Sequence, residues 1–138
     1  MSVKTFIDTN VWVYLFSNDK KSKFAKDIIE SKFDNIVIST QVLNEFFNVI
    51  ANKHKIKSKT DAKIIVQELI ESFIVSVVNN ETILQAIDVS IKYKLNYFDS
   101  LMIASALSEN CNEFYSEDMH HGLIINESLK IVNPFKKE

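Results

Sequence analysis

The stretch KTFIDTNVWVYLF, residues 4–16, decides how the rest of the chain is read. Lys4–Ile7 has the short, apolar character of a buried strand. Val11–Phe16 reads as a short helix. Between them stands Asp8, a carboxylate in apolar company, where acids are seldom left without a partner. The step from strand to acid to helix places Asp8 where the strand ends.

Working outward, the same alternation continues. A polar turn, SNDKK, leads to a helix over Ser22–Ser31 with apolar spacing at Phe24, Ile28 and Ile29. Ile36–Ile38 is a second strand. Ser39 and Thr40 are cap candidates for a helix running to about Lys53. Thr60 or Asp61 starts another that ends near Ser72. Ile74–Val78 is a third strand. Helices follow over Glu81–Tyr93 and, after an Asn96 cap, Tyr97–Asn110. Glu113–Tyr115 is a fourth strand and Leu129–Val132 a fifth. One glycine and one proline leave few breaks. Strands alternating with helices predict an α/β fold with a mostly parallel sheet of four or five strands. Such sheets bind ligands beyond the strand carboxyl ends, at a topological switch point, and Asp8 lies on that edge.

Composition narrows the classes. The chain has 138 residues, 46% hydrophobic and 25% charged, which predicts one folded domain, residues 1–138, and argues against disorder. A formal net charge of −2 and a pI of about 5.9 give no global basic field for nucleic acid. Cys111 is the only cysteine and reads as a buried core residue in a reducing compartment. No basic-then-apolar leader opens the chain and no apolar run approaches a membrane span, so a soluble, cytoplasmic protein is expected.

Three further acids share the oddity of Asp8. Glu45, in VLNEFFNVI, sits at the border of an apolar stripe of Val42, Phe46, Val49 and Ile50, beside Val42 and Val49 and apart from Asn44 and Asn48. Asp99, in NYFDSLMIASAL, opens a helix that is apolar or small almost all round. Asp118 follows the fourth strand, and if that strand runs parallel to the first it joins Asp8 on one edge. Each acid also has an ordinary reading: Asp8 as a helix cap, Asp99 as an acid near a helix start, Glu45 as a stripe-edge residue, Asp118 as a turn acid. Together they suggest more. Two unit charges about 5 Å apart repel by roughly 3 kcal/mol at an effective dielectric near 20. A hard divalent cation offsets that, and Mg²⁺ or Mn²⁺ takes oxygen ligands. The chemistry that follows is metal-assisted phosphodiester hydrolysis.

FIDTNVWVY, VLNEFFNV, NYFDSLMIASA and YSEDMHHG, in that order, resemble the PIN-domain ribonucleases, and most of all the VapC-type toxins of toxin–antitoxin pairs. The resemblance runs from Phe6 to about Gly122. It implies a three-layer α/β/α sandwich, cleavage of RNA with Mg²⁺ or Mn²⁺, a homodimer and a cognate antitoxin partner. It implies catalytic roles for Asp8, Glu45, Asp99 and Asp118, with Asp8, Asp99 and Asp118 on the metal. Thr9, Asn10 and Ser116 match its small polar positions. Glu117, a second carboxylate beside Asp118, is a supporting candidate and a rival for the fourth acid.

The remaining signals are weaker. Adjacent His120 and His121 lack the i, i+4 spacing for sharing a metal and read as surface-loop residues. The lysines of NKHKIKSKTDAK, namely Lys53, Lys55, Lys57 and Lys59, form a solvated face that also suits phosphate steering, although no aromatic is interleaved among them. Trp12, Tyr14 and Phe16 crowd a helix too short to bury them all, so an exposed aromatic patch for an antitoxin helix is expected. Two rival functions stand beside the nuclease. An aspartate-nucleophile phosphatase wants an acid two residues after Asp8, where this chain has Asn10. A catalytically silent module that binds RNA or protein needs no full set of acids.

Overall fold

A computed structural model describes residues 3–136. Six strands make one sheet: β1 (Thr5–Ile7), β2 (Ile36–Ser39), β3 (Ile74–Ser76), β4 (Glu113–Tyr115), β5 (Ile124–Ile125) and β6 (Leu129–Val132). Their order is β3-β2-β1-β4-β6-β5. All pairings are parallel except β5 with β6. β1 and β2 are buried at every position, as central parallel strands covered on both faces must be.

The helices fill the crossovers. α1 (Thr9–Leu15) and α2 (Ser22–Lys32) join β1 to β2, α3 (Thr40–Asn48) and α4 (Lys59–Ser72) join β2 to β3, and α5 (Asn80–Tyr93) and α6 (Tyr97–Ser108) join β3 to β4. The chain steps outward from β1 to β3, then returns past β1 to β4. Right-handed crossovers in opposite directions place α5 and α6 on the face opposite the first four helices. The expected three-layer α/β/α sandwich results. Phe6 and Phe114, in register on β1 and β4, stack at 4.9 Å through the middle of the sheet. Cys111 is buried as expected, and burial pushes its thiol up to about 12.

Local chemistry sets the boundaries. Ser39, Ser58, Asn79 and Asn96 each cap a helix by accepting a backbone N–H. Ser58 starts α4 slightly before Thr60. β3 stops at Ser76 rather than Val78, because the Val78 N–H turns to Thr40 Oγ1 at 3.1 Å. The sheet has one strand more than the expected four or five. β5 hairpins onto β6 through Asn126 and Glu127, both at positive φ, with Ser128 N–H bonded to Ile125 O at 3.0 Å. That backbone normally advertises itself as Asn-Gly or Asp-Gly, and here it does not.

Two expectations need correcting. The helix predicted to run to Lys53 is α-helical only to Asn48 and continues as a π-helical turn over Val49–Lys53. The aromatic patch on α1 is smaller than expected. Trp12 is 0% exposed, because its indole N–H donates to Ile7 O at 3.1 Å and its ring packs on Phe73. A partner cannot reach it. Tyr14 and Phe16 keep part of their surface, edge-on to Phe135 and Phe46 respectively.

Candidate active site

β1 and β4 lie side by side where the chain order reverses, so their carboxyl ends form the switch-point crevice. A cleft of about 300 Å³ opens there. Asp8, Glu45, Asp99 and Asp118 all line it, with Thr9, Asn10, Asn48, Val49, Lys53 and Met102. Residues drawn from four separated segments meet because β1, α3, α6 and the turn after β4 each deliver one acid.

Small polar groups hold these acids in place. Asp8 caps α1: Oδ1 accepts the Thr9 N–H at 2.6 Å and Oδ2 accepts the Ser116 hydroxyl at 2.8 Å. The same Ser116 oxygen accepts the Asp118 N–H at 3.2 Å, so one hydroxyl ties two acids. Asn10 donates to Asp118 Oδ2 at 2.7 Å, and the Thr9 hydroxyl donates to Glu45 Oε1 at 3.0 Å. Asn96 both accepts the Asp99 N–H at 2.9 Å and donates to its Oδ2 at 2.6 Å. Asp99 occupies the third helical position, as its sequence context suggested.

The electrostatics are unrelieved. Among the described residues none of the four acids is in an ion pair. Asp8 is 5% exposed. Burial raises its pKa to about 6, against the pull of the Ser116 and Thr9 hydrogen bonds and with help from the charges of Asp99 and Asp118. Burial likewise raises Asp99, with a contribution from Asp118. An all-oxygen set of uncompensated carboxylates fits a hard divalent cation. Among the described residues no three His, Cys, Asp or Glu side chains are drawn together as a ready cage.

Other predicted positions fall outside the cleft. Glu117 does not line the cleft; its carboxylate accepts the Tyr14 hydroxyl at 2.6 Å and pairs with the Lys21 ammonium. Burial favours its neutral form, but those two hydrogen bonds win and lower its pKa. Of the four lysines only Lys53 lines the cleft; Lys55, Lys57 and Lys59 do not. His120 is exposed, and His121 Nδ1 accepts the Asn133 N–H at 3.0 Å, so neither histidine lines it. Asn48 lines the cleft beside Glu45, although the helical wheel set the two apart. They are three residues apart on α3, near neighbours on a helix surface, and the cleft is wide enough to take in both.

Comparison with known proteins gives a consistent fold. A family model described as the PIN domain matches residues 5–122. No curated protein sequence matches. A toxin–antitoxin complex from Klebsiella pneumoniae contains a chain 18% identical, with 97% of this chain and 100% of that one covered at a TM-score of 0.75. VapBC2 from Rickettsia felis, bound to a fragment of its promoter, is 17% identical over 95% and 100% of the chains, with a TM-score of 0.69. Mycobacterium tuberculosis VapC20, described as a toxin cleaving the sarcin–ricin loop, is 18% identical over 80% and 87%, with a TM-score of 0.67.

Proposed function

This chain belongs to the PIN domain family, and from that premise we propose that it is a metal-dependent endoribonuclease, the toxin of a toxin–antitoxin pair. One observation carries the reading: four acids, none in an ion pair among the described residues, line one cleft at the switch point of a parallel sheet. The domain spans residues 1–138 and works in the cytoplasm. Asp8, Asp99 and Asp118 would hold Mg²⁺ or Mn²⁺, which when bound would acidify a water and neutralise phosphate charge.

The chain's own groups do the rest. Thr9 and Ser116 fix both oxygens of Asp8, leaving each a lone pair toward the cleft. Asn10 orients Asp118, and Asn96 orients Asp99. Glu45, less buried than Asp8 and steadied by Thr9, is the base that accepts a proton from the attacking water. Lys53 places a cation on the same wall to draw in the RNA backbone. Lys55, Lys57 and Lys59 extend that attraction beyond the cleft. Position 10 is an asparagine, bonded to Asp118, so no acid stands two residues after Asp8, which disfavours the phosphatase reading.

The toxin–antitoxin reading is supported by the likeness in fold to the Klebsiella and Rickettsia proteins, which were solved with partners. Tyr14 and Phe16 remain candidate contacts for an antitoxin, and Trp12 does not. The chain also pairs with a second copy of itself.

The test is cleavage of total cellular RNA by the purified chain. Mg²⁺ or Mn²⁺ should support cutting, excess chelator should stop it, and Asp8→Asn or Asp99→Asn should abolish it. Cutting that persists in chelator, or in both variants, would refute the assignment.

A further inference from the structure

A second cleft, about 530 Å³, lies between the start of α2 and the segment after β6. Lys20, Lys21, Phe24, Pro134, Phe135 and Lys136 line it, and among the described residues no carboxylate does. We propose that this cleft is a stacking subsite for a nucleobase of the single-stranded RNA that runs out of the acidic cleft, with Lys20 and Lys136 on the flanking phosphates. The proposal rests on the ribonuclease reading and says where that substrate is gripped away from the reacting bond.

Three observations carry it. First, the lining pairs aromatic faces with cations. Phe24 is 56% exposed, with its ring 6.5 Å from that of Phe135 at 85°. Exposed rings beside lysines are how proteins hold unpaired bases. Lys21 is occupied by Glu117, but Lys20 and Lys136 are in no ion pair among the described residues. In a chain of net charge −2, two lysines outside any described ion pair beside a hydrophobic floor favour a polyanion with apolar faces over an apolar peptide.

Second, the floor is held in place. Phe135 packs edge-on to Tyr14 at 5.4 Å. Its N–H donates to Asn133 Oδ1 at 3.0 Å, and Asn133 is itself tied to His121 and to Glu117 O. A ring fixed before binding loses little freedom when a base settles on it.

Third, α1 runs from the acidic cleft toward this one. Asn10 and Tyr14 stand one turn apart on the same face of α1, about 6 Å along its axis. Asn10 holds Asp118 in the acidic cleft, and Tyr14 holds Glu117 beside the aromatic one. One helical turn is roughly the reach of one or two nucleotides of a strand. A strand laid along α1 would therefore pass from the acidic cleft toward the aromatic one.

The experiment uses the whole chain in chelator, so that binding is read without cleavage. The probes are an eight-nucleotide oligouridine, an abasic strand of the same length, and the oligouridine carrying one 2-aminopurine. Phe24→Ala should weaken the oligouridine roughly 5- to 100-fold and leave the abasic strand unchanged. Phe24→Tyr should keep wild-type affinity. Lys20→Gln with Lys136→Gln should weaken both strands alike. The 2-aminopurine should be quenched by the wild type and not by Phe24→Ala. Equal affinity of wild type and Phe24→Ala for the oligouridine overturns the proposal, as does equal loss for both strands. So does a wild type that binds neither strand at low salt. Cleavage is scored separately with metal. A chain that stacks but never cuts keeps the subsite and loses the ribonuclease reading, and the converse result separates them the other way.

Discussion

Asp8 keeps its proton to a higher pH than an ordinary aspartate, and this makes its charge a cost to the fold. Its pKa rises from 3.8 to about 6 on folding. Between those values the native chain binds more protons than the unfolded one, so stability falls as pH rises. The favourable state is complete below pH 4 and gone above pH 6. The shift corresponds to about 3 kcal/mol at neutral pH. Asp8→Asn should therefore stabilise the metal-free chain by about 1–3 kcal/mol at pH 7 and by nearly nothing at pH 4. Asparagine can still cap α1 and still reach Ser116, whose hydroxyl can accept as well as donate. Urea unfolding in chelator at the two pH values measures this, and an equal effect at both would remove the electrostatic account. Mg²⁺ should raise the melting temperature of the wild type more than that of the variant. At this scale much of the cleft was legible. Asp8, Glu45 and Asp99 stood out as charges against apolar neighbours, and Asp118 as a strand-end acid. Whether Glu117 or Asp118 enters the cleft was not legible, because it depends on Tyr14 and Lys21, roughly a hundred residues away in the chain.

Among the elements, the π-helical turn after α3 has the most direct bearing on the cleft. In a continued α-helix Lys53 would lie about 80° around the axis from Glu45, at 100° per residue. The wider turn, closed by the His54 N–H on Val49 O at 2.8 Å, brings Lys53 back over that face and onto the cleft wall. Apolar spacing cannot reveal such a turn, since Val49, Ile50 and Ala51 suit either helix. The capped starts of α3 and α6 were readable because Ser39 and Asn96 announce themselves; the β5–β6 hairpin was hidden because Asn126–Glu127 does not. For binding, the turn separates Lys53 from its neighbours. Lys53→Gln alone should lower the salt dependence of single-stranded RNA affinity by about 0.7 in the log–log slope. Fluorescence anisotropy across a salt series measures it. A slope that moves only when Lys55, Lys57 and Lys59 are replaced would put the steering in the loop.

At the scale of the molecule, the largest unsatisfied feature is a stripe on α5. Ile83, Ile87 and Ile91 stand at successive turns, with Leu84 beside them, and all four are exposed. No described helix is long and apolar enough to cross a membrane. A contiguous apolar helix face of this kind fits self-association, where two copies cover each other's stripe. Ile87→Glu should convert the pair to monomers, read as a halved mass by light scattering during gel filtration. A wild type that is monomeric at high micromolar concentration would dismiss the idea. The fold class was readable from the alternation of strands and helices alone. The exposure of the α5 stripe was not, because on a wheel an apolar stripe facing outward looks the same as one facing the core.

The pairing of β1 with β4 bears on when the protein can act. The Ser116 hydroxyl that secures Asp8 lies 108 residues further along the chain, and β1 is held on that side only by β4. A ribosome adds about 5–20 residues each second, so Asp8 waits on the order of 5–20 s for Ser116 to be made. Until then β2 can flank β1, but the crevice has one wall and lacks Asp118. A growing chain thus carries three of its acids without an assembled cleft, beside the RNA of the machine that is making it. The crevice is whole only after Ser116 and Asp118 have been made and β4 has docked on β1.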